Sequence, residues 1–203
     1  VRERPVTFTA ASLQKEYDGA PLTAENVSVG GVGFAGMDSV LFNVTGSQTL
    51  PGSSDNIFTW TAEGTTDLDD YDITAVKGTL TVVNREAKYE VSLNAVGASV
   101  LYDGKLHTAG GLEGTVFTLN GVTYRVEGLT ASAAGTNAGT YPVEVTGTPV
   151  IRDSAGNDVT MQFSLHTTGA SLEIRPRKVV MTSASAEAEY SGRTLRADRV
   201  EVT

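Results

Sequence analysis

Cysteine is absent from the 203 residues, and histidine occurs only twice. The first absence argues against a disulfide-framed scaffold and removes any thiol nucleophile. The two histidines, His107 and His166, stand at non-equivalent places, with no serine or cysteine nucleophile motif beside them. A histidine without an orienting partner meets no triad logic, so both read as structural or exposed. No run of 18 apolar residues occurs, so no membrane insertion is expected of this segment. Positive charge is scarce, with 15 Lys and Arg against 24 Asp and Glu. A surface of that sign repels phosphate backbones, and nucleic acid is not an expected partner. Helical periodicity is missing as well. Gly30-Gly31-Val32-Gly33 opens no helix-like pattern, so a phosphate cradle is not expected.

What the chain does contain is repetition. Tyr17-Asp18-Gly19, Tyr102-Asp103-Gly104 and Tyr190-Ser191-Gly192 are three copies of one tripeptide, 85 and 88 residues apart. A strand-like stretch leads into each: Val6–Ala10, Val91–Ala95 and Val179–Thr182. A period of that length is a whole small domain rather than a solenoid unit. Three modules follow: 1–83, 84–175 and the opening strands of an incomplete third over 176–203. Val1 reads as the tail of a preceding module, because Val1–Val6 aligns with Ile174–Val179. The chain is thus expected to be a piece of a longer repetitive protein. Charge falls unevenly along it, at −7, −3 and +1 for the three segments, which reads as solubility and mutual repulsion within an array.

Abundant glycine, threonine, serine and valine suit strands joined by tight turns, and the composition fits an extracellular β-protein. Val6 and Phe8 alternate with Thr7 and Thr9 as in a half-buried strand. Asn26–Val29 predicts a strand broken by Gly30-Gly31, and Val40–Val44, Ile57–Trp60, Asp72–Val76 and Thr79–Val82 predict four more. In the second module, Asn120-Gly121 between Thr115–Leu119 and Val122–Val126 predicts a two-residue type I′ hairpin. Pro142 places Gly139–Val145 at an edge or a strand start. The second module's seven extra residues are expected in loops around Pro149–Asn157. The expected fold class is all-β, as tandem small domains. An immunoglobulin-like sandwich is favoured. A β-grasp arrangement is the rival, with a short helical turn over 22–27 or 33–39. Val6, Phe8, Leu80, Val82, Val91, Leu93, Leu172 and Ile174 are the expected core.

The order Arg4-Pro5-Val6-Thr7, then Lys15, Tyr17-Asp18-Gly19 and Leu22-Thr23, resembles the YDG-type and related MBG-type repeats of bacterial surface proteins. Val44–Gln48 with Gly52, Tyr71–Ile73 and Lys77–Val82 continue the likeness. Tyr102–Gly104, Asn137–Pro142, Phe163 and Ser171–Ile174 carry it through the second module, and Ser191 departs from it in the third. The resemblance implies tandem repeats in large secreted or wall-associated proteins, often adhesin-like, on the cell surface and outside the cell. It implies no catalytic residues.

Other chemistry is thin. Asp67-Leu68-Asp69-Asp70-Tyr71-Asp72 lacks EF-hand spacing and does not recur, so it reads as a solvated loop entering a strand. Tyr17, Tyr102 and Tyr190, with Asp18, Gly19, Asp103, Gly104 and Gly192, form the structural repeat signature. Recurring in frame, these tyrosines are expected to be packing anchors whose hydroxyls meet the backbone. A Lys15–Asn cross-link is not expected, because Val100 and Ala188 stand at the equivalent positions. No catalytic, cofactor-binding or metal residue is expected. The expected partners are the neighbouring modules, with a host or matrix glycan or protein as a further possibility. The short linker over 83–88 is not Gly/Ser-rich, which predicts modules set end to end with restricted swivel. Two readings result: a structural stalk that projects a separate binding region, and a carbohydrate- or protein-binding module using interstrand loops, above all 146–160.

Overall fold

The computed structural model describes residues 2–203, and the expectation that Val1 closes a preceding module lies outside them. The first repeat contributes eight strands: β1 (Arg4–Ala10), β2 (Leu13–Glu16), β3 (Val27–Gly31), β4 (Ser39–Val44), β5 (Gly52–Asn56), β6 (Phe58–Glu63), β7 (Tyr71–Val76) and β8 (Gly78–Val83). The second contributes ten: β9 (Tyr89–Ala95), β10 (Ala98–Leu101), β11 (His107–Gly110), β12 (Leu112–Glu113), β13 (Val116–Leu119), β14 (Val122–Gly135), β15 (Gly139–Pro142), β16 (Glu144–Asp153), β17 (Phe163–Thr168) and β18 (Ser171–Arg175). β19 (Met181–Ser183) and β20 (Val200–Val202) follow as an antiparallel pair. The fold is all-β. Its only helical elements among the described residues are two 3-10 turns, Leu68–Asp70 and Thr160–Gln162. Neither falls at 22–27 or 33–39, where the rival β-grasp arrangement would have a short helical turn.

The strands gather into two compact units. One comprises residues up to Ser92 with Thr115–Gly128 and Thr148–His166, and the other Leu93–Gly114, Leu129–Gly147 and Thr167–Thr203. In the first unit β1 sits centrally in the sheet β3-β1-β7, and β8 sits centrally in β2-β8-β5. β1 pairs antiparallel with β3 but parallel with β7, and β2 runs parallel to β8, from Leu13↔Leu80 to Glu16↔Val83. Period-2 alternation turns Val6, Phe8 and Ala10 inward. They cluster with Phe58 and Tyr71, and Phe34, Phe42, Val44, Trp60 and Ile73 pack around them. The Phe8 ring meets Phe42 edge-on at 4.9 Å and Trp60 at 5.1 Å. All eight expected core residues are buried.

In the second unit β10 runs parallel to β18, and β15 lies antiparallel on the other side of β18. This repeats the β2-β8-β5 arrangement, and it leaves Pro142 on an edge strand, where no ladder bond needs its missing N–H. The far end of β14 pairs with β11, from His107↔Gly135 to Gly110↔Ser132.

Three local expectations are corrected. Gly30 and Gly31 do not break β3; they pair with Thr7 and Val6. Gly31 holds φ +74°, and a Cβ there would come 2.7 Å from the Pro5 carbonyl oxygen, so glycine lets the strand continue against β1. The second repeat's extra length is not mainly loop, since β14 has 14 residues and β16 has 10, against 6 each in β4 and β6. Only Asp153–Asn157 forms a turn there, with Pro149 inside β16. The third lead-in is shorter than Val179–Thr182, as β19 begins at Met181.

Candidate functional site

The Tyr-Asp-Gly turn is built alike in the first two repeats. The Tyr17 amide donates to the Val83 carbonyl at 2.9 Å, and the Tyr102 amide to the Arg175 carbonyl at 2.9 Å. Asp18 Oδ1 accepts from the Ala20 amide at 2.9 Å, and Asp103 Oδ1 from the Lys105 amide at 3.0 Å. Gly19 and Gly104 take the positive φ that such a turn requires, +85° and +76°. Gly192 shares it at +74°. Lys15 braces the first turn, its Nζ reaching Asp18 Oδ1 at 2.6 Å and the Ala20 carbonyl at 2.7 Å. Burial works against ionisation of Asp18, but the Lys15 and Ala20 bonds outweigh it and hold the carboxyl below its ordinary value. The Lys105 amide and then the His107 ring, 2.8 Å away, hold Asp103 low in the same sense.

The three tyrosines part company. Tyr17 is 1% exposed, Tyr102 is 39% exposed and Tyr190 is 98% exposed. The anchoring role expected of all three therefore holds for Tyr17 alone. Its hydroxyl does not meet the backbone as expected; it lies 3.3 Å from the hydroxyl of Tyr124 in the second repeat. The difference is cover. Within the first unit, the β13–β14 hairpin folds over the Tyr17 turn. Its tip has Asn120 at φ +50° and Gly121 at φ +79°, the two left-handed residues of a type I′ turn. Leu119 pairs with Val122 and Val116 with Arg125 on either side. Asn120 Nδ2 donates to the Asp18 carbonyl at 3.3 Å and to the Tyr89 hydroxyl at 3.1 Å. A Cβ on Gly19 would stand 2.4 Å from the Tyr124 hydroxyl, so this contact also requires glycine. Tyr124 in turn stacks on Phe117 at 5.4 Å and meets Phe163 edge-on at 5.0 Å. Burial first, and then the Tyr124 hydroxyl, push the Tyr17 phenol well above its ordinary value, and burial raises Tyr124 too.

The linker over 83–88 is clamped to the same place. Gln162, 2% exposed, accepts from the Arg85 amide at 3.0 Å and donates to Asn84 Oδ1 at 2.6 Å. Arg85 reaches the Tyr17 carbonyl at 3.3 Å and Glu16 at 3.6 Å, and its guanidinium sits 4.1 Å over the Tyr89 ring. The sequence reading missed Tyr124, Arg85 and Gln162 as a group. Only the Asn120-Gly121 signal pointed toward one of their neighbours.

Both histidines, expected to lack an orienting partner, face a carboxylate. His166 Nε2 lies 2.5 Å from Glu90 Oε2 and 3.4 Å from Ser164 Oγ. Serine and carboxylate share one ring nitrogen, whereas a relay needs one on each, so this trio has no nucleophile-activating geometry. The Ser164 hydroxyl, followed by His166, holds Glu90 below its ordinary value. At 67–72 a 3-10 turn is capped by Asp67, whose Oδ1 accepts from the Asp69 amide at 3.1 Å. Among the described residues no three His, Asp or Glu side chains gather as a metal site would require.

Loop 153–157 lines an open groove of about 490 Å³ with Gly19, Gln48, Thr49 and Val122. The lining has no aromatic side chain on which a sugar ring could stack. Asp153 is already committed, accepting from the Ala155 and Asn157 amides at 3.0 and 2.8 Å and from Asn157 Nδ2 at 2.9 Å. No helix among the described residues is long and apolar enough to cross a membrane. The chain matches no protein-family model, no curated protein and no solved structure.

Proposed function

We propose that this chain is a run of YDG/MBG-type tandem repeats from a bacterial cell-surface or secreted protein, serving as a stalk that projects a separate binding region. The observation that carries this reading is the clamp on the linker. Arg85, Gln162 and the Tyr17–Tyr124 pair fasten polar connecting chain to both repeats. A tether for independent readers has no use for such a buried fastening, while a spacer that must hold its geometry does. The chain performs no catalysis, and its working partners are its own neighbouring repeats. A second reading, a glycan- or protein-binding module, draws on the polar groove beside Asp153, Ser154 and Asn157.

Glycan and matrix-protein arrays probed with the 203-residue chain separate the two. The stalk reading expects no binding above that of an unrelated β-protein. Binding that disappears on Asp153→Ala and Asn157→Ala exchange would overturn it in favour of the groove.

A further inference from the structure

We propose that the Tyr102-Asp103-Gly104 turn is a seat for the Asn-Gly hairpin of another repeat of this kind. The chain itself displays such a seat filled. Around Tyr17 the amide bond to the closing strand, the Asp18 turn and the left-handed Gly19 form a platform, and the hairpin bearing Asn120, Val122 and Tyr124 covers it. Around Tyr102 the same three platform elements are present. There Tyr102 stays 39% exposed, whereas its counterpart Tyr17 is 1% exposed. A tyrosine ring left open on a platform that is closed elsewhere in the chain marks an interaction surface. The hairpin of Thr115–Gly128 is itself engaged at the Tyr17 turn, where Asn120 bonds the Asp18 carbonyl, so the occupant of the Tyr102 turn comes from another copy. The occupant is that copy's hairpin, with an Asn-Gly tip reaching the Asp103 carbonyl and an apolar or aromatic side chain lying on Tyr102.

The seat rests on the tandem-repeat part of the reading above and not on stalk duty, so a chain that bound glycans would leave it standing. The test is a longer chain in which residues 176–203 are replaced by a second copy of 84–175, so that Arg175 precedes the new linker as Val83 precedes the first. Nitration by tetranitromethane, read for each tyrosine by mass spectrometry, reports cover. In the 203-residue chain Tyr102 should react readily while Tyr17 resists. In the longer chain Tyr102 should slow by about tenfold or more, toward the Tyr17 rate. An unchanged Tyr102 rate overturns the proposal. A second variant tests the cover directly in the 203-residue chain. Tyr124→Ala should bring Tyr17 to a rate near that of Tyr102 while buried Tyr71 stays protected. Tyr17 still protected in that variant would mean the hairpin is not its cover, and the proposal fails.

Discussion

The Tyr17 and Tyr124 hydroxyls meet at 3.3 Å across 107 residues of sequence. Each is the other's only side-chain hydrogen-bond partner among the described residues, and both rings are about 1% exposed. Two repeats are therefore joined by a polar contact inside an otherwise apolar packing of Phe117, Tyr124 and Phe163.

A double-mutant cycle should expose that coupling. Tyr17→Phe or Tyr124→Phe alone strands one buried hydroxyl and should cost about 1–3 kcal/mol. The double exchange removes both polar groups and should cost less than the two singles together. Additive losses, measured by urea unfolding, would show that the hydroxyls do not interact.

Alkaline pH should weaken the fold through the same pair. Folding raises both phenols above the unfolded value of about 10. Their contribution is intact below that pH and is lost as pH climbs above it, because the unfolded chain then sheds protons that the folded chain keeps. Spectrophotometric titration should show Tyr17 and Tyr124 ionising only as the fold is lost, with Tyr71, whose hydroxyl donates to Asp38, also displaced upward. All seven tyrosines titrating together near the ordinary value in a folded chain would contradict this.

Phe8→Ala should destabilise by about 3–5 kcal/mol, since the ring is 0% exposed and held edge-on by two aromatics. Trp60, the only tryptophan, lies 5.1 Å from that ring and reports the loss by fluorescence. A change below about 1 kcal/mol would remove Phe8 from the core.

Gln162→Ala should loosen the linker. The Arg85 amide loses its acceptor and Asn84 its donor, at a cost of about 1–3 kcal/mol. Limited trypsin digestion should then cut after Arg85 or Lys88 earlier than in the parent chain. Equal rates at those sites would mean that the clamp does not restrain them.

Strands written in alternation were legible: Val6–Phe8 and Leu80–Val82 announce their buried face because period-2 burial leaves a mark on composition. The Asn120-Gly121 turn was legible too, since its backbone admits few residues. β5 was not. Gly52-Ser53-Ser54-Asp55-Asn56 has no apolar face, and its strand exists because β8 offers a free ladder edge. The divergent fates of Tyr17 and Tyr102 could not be read either, because identical tripeptides differ only in what folds over them. Arg85 and Gln162 stand 77 residues apart and meet through backbone geometry that no spacing rule encodes.

The parallel pairing of β2 with β8, and of β10 with β18, has a mechanical consequence. Each pair joins a strand near the entry of its repeat to the strand by which the chain leaves. Tension applied to the two ends of such a repeat draws the paired strands past one another lengthwise. Their slanted hydrogen bonds then bear the load together instead of parting one after another. The antiparallel β19–β20 pair has no such geometry and can peel open from one end. When single chains are pulled from both ends in a force spectrometer, the β2–β8 and β10–β18 pairs should yield in abrupt, high-force events, and gradual low-force opening would refute the shear arrangement. Resistance to pulling is thus written into which strand lies beside which.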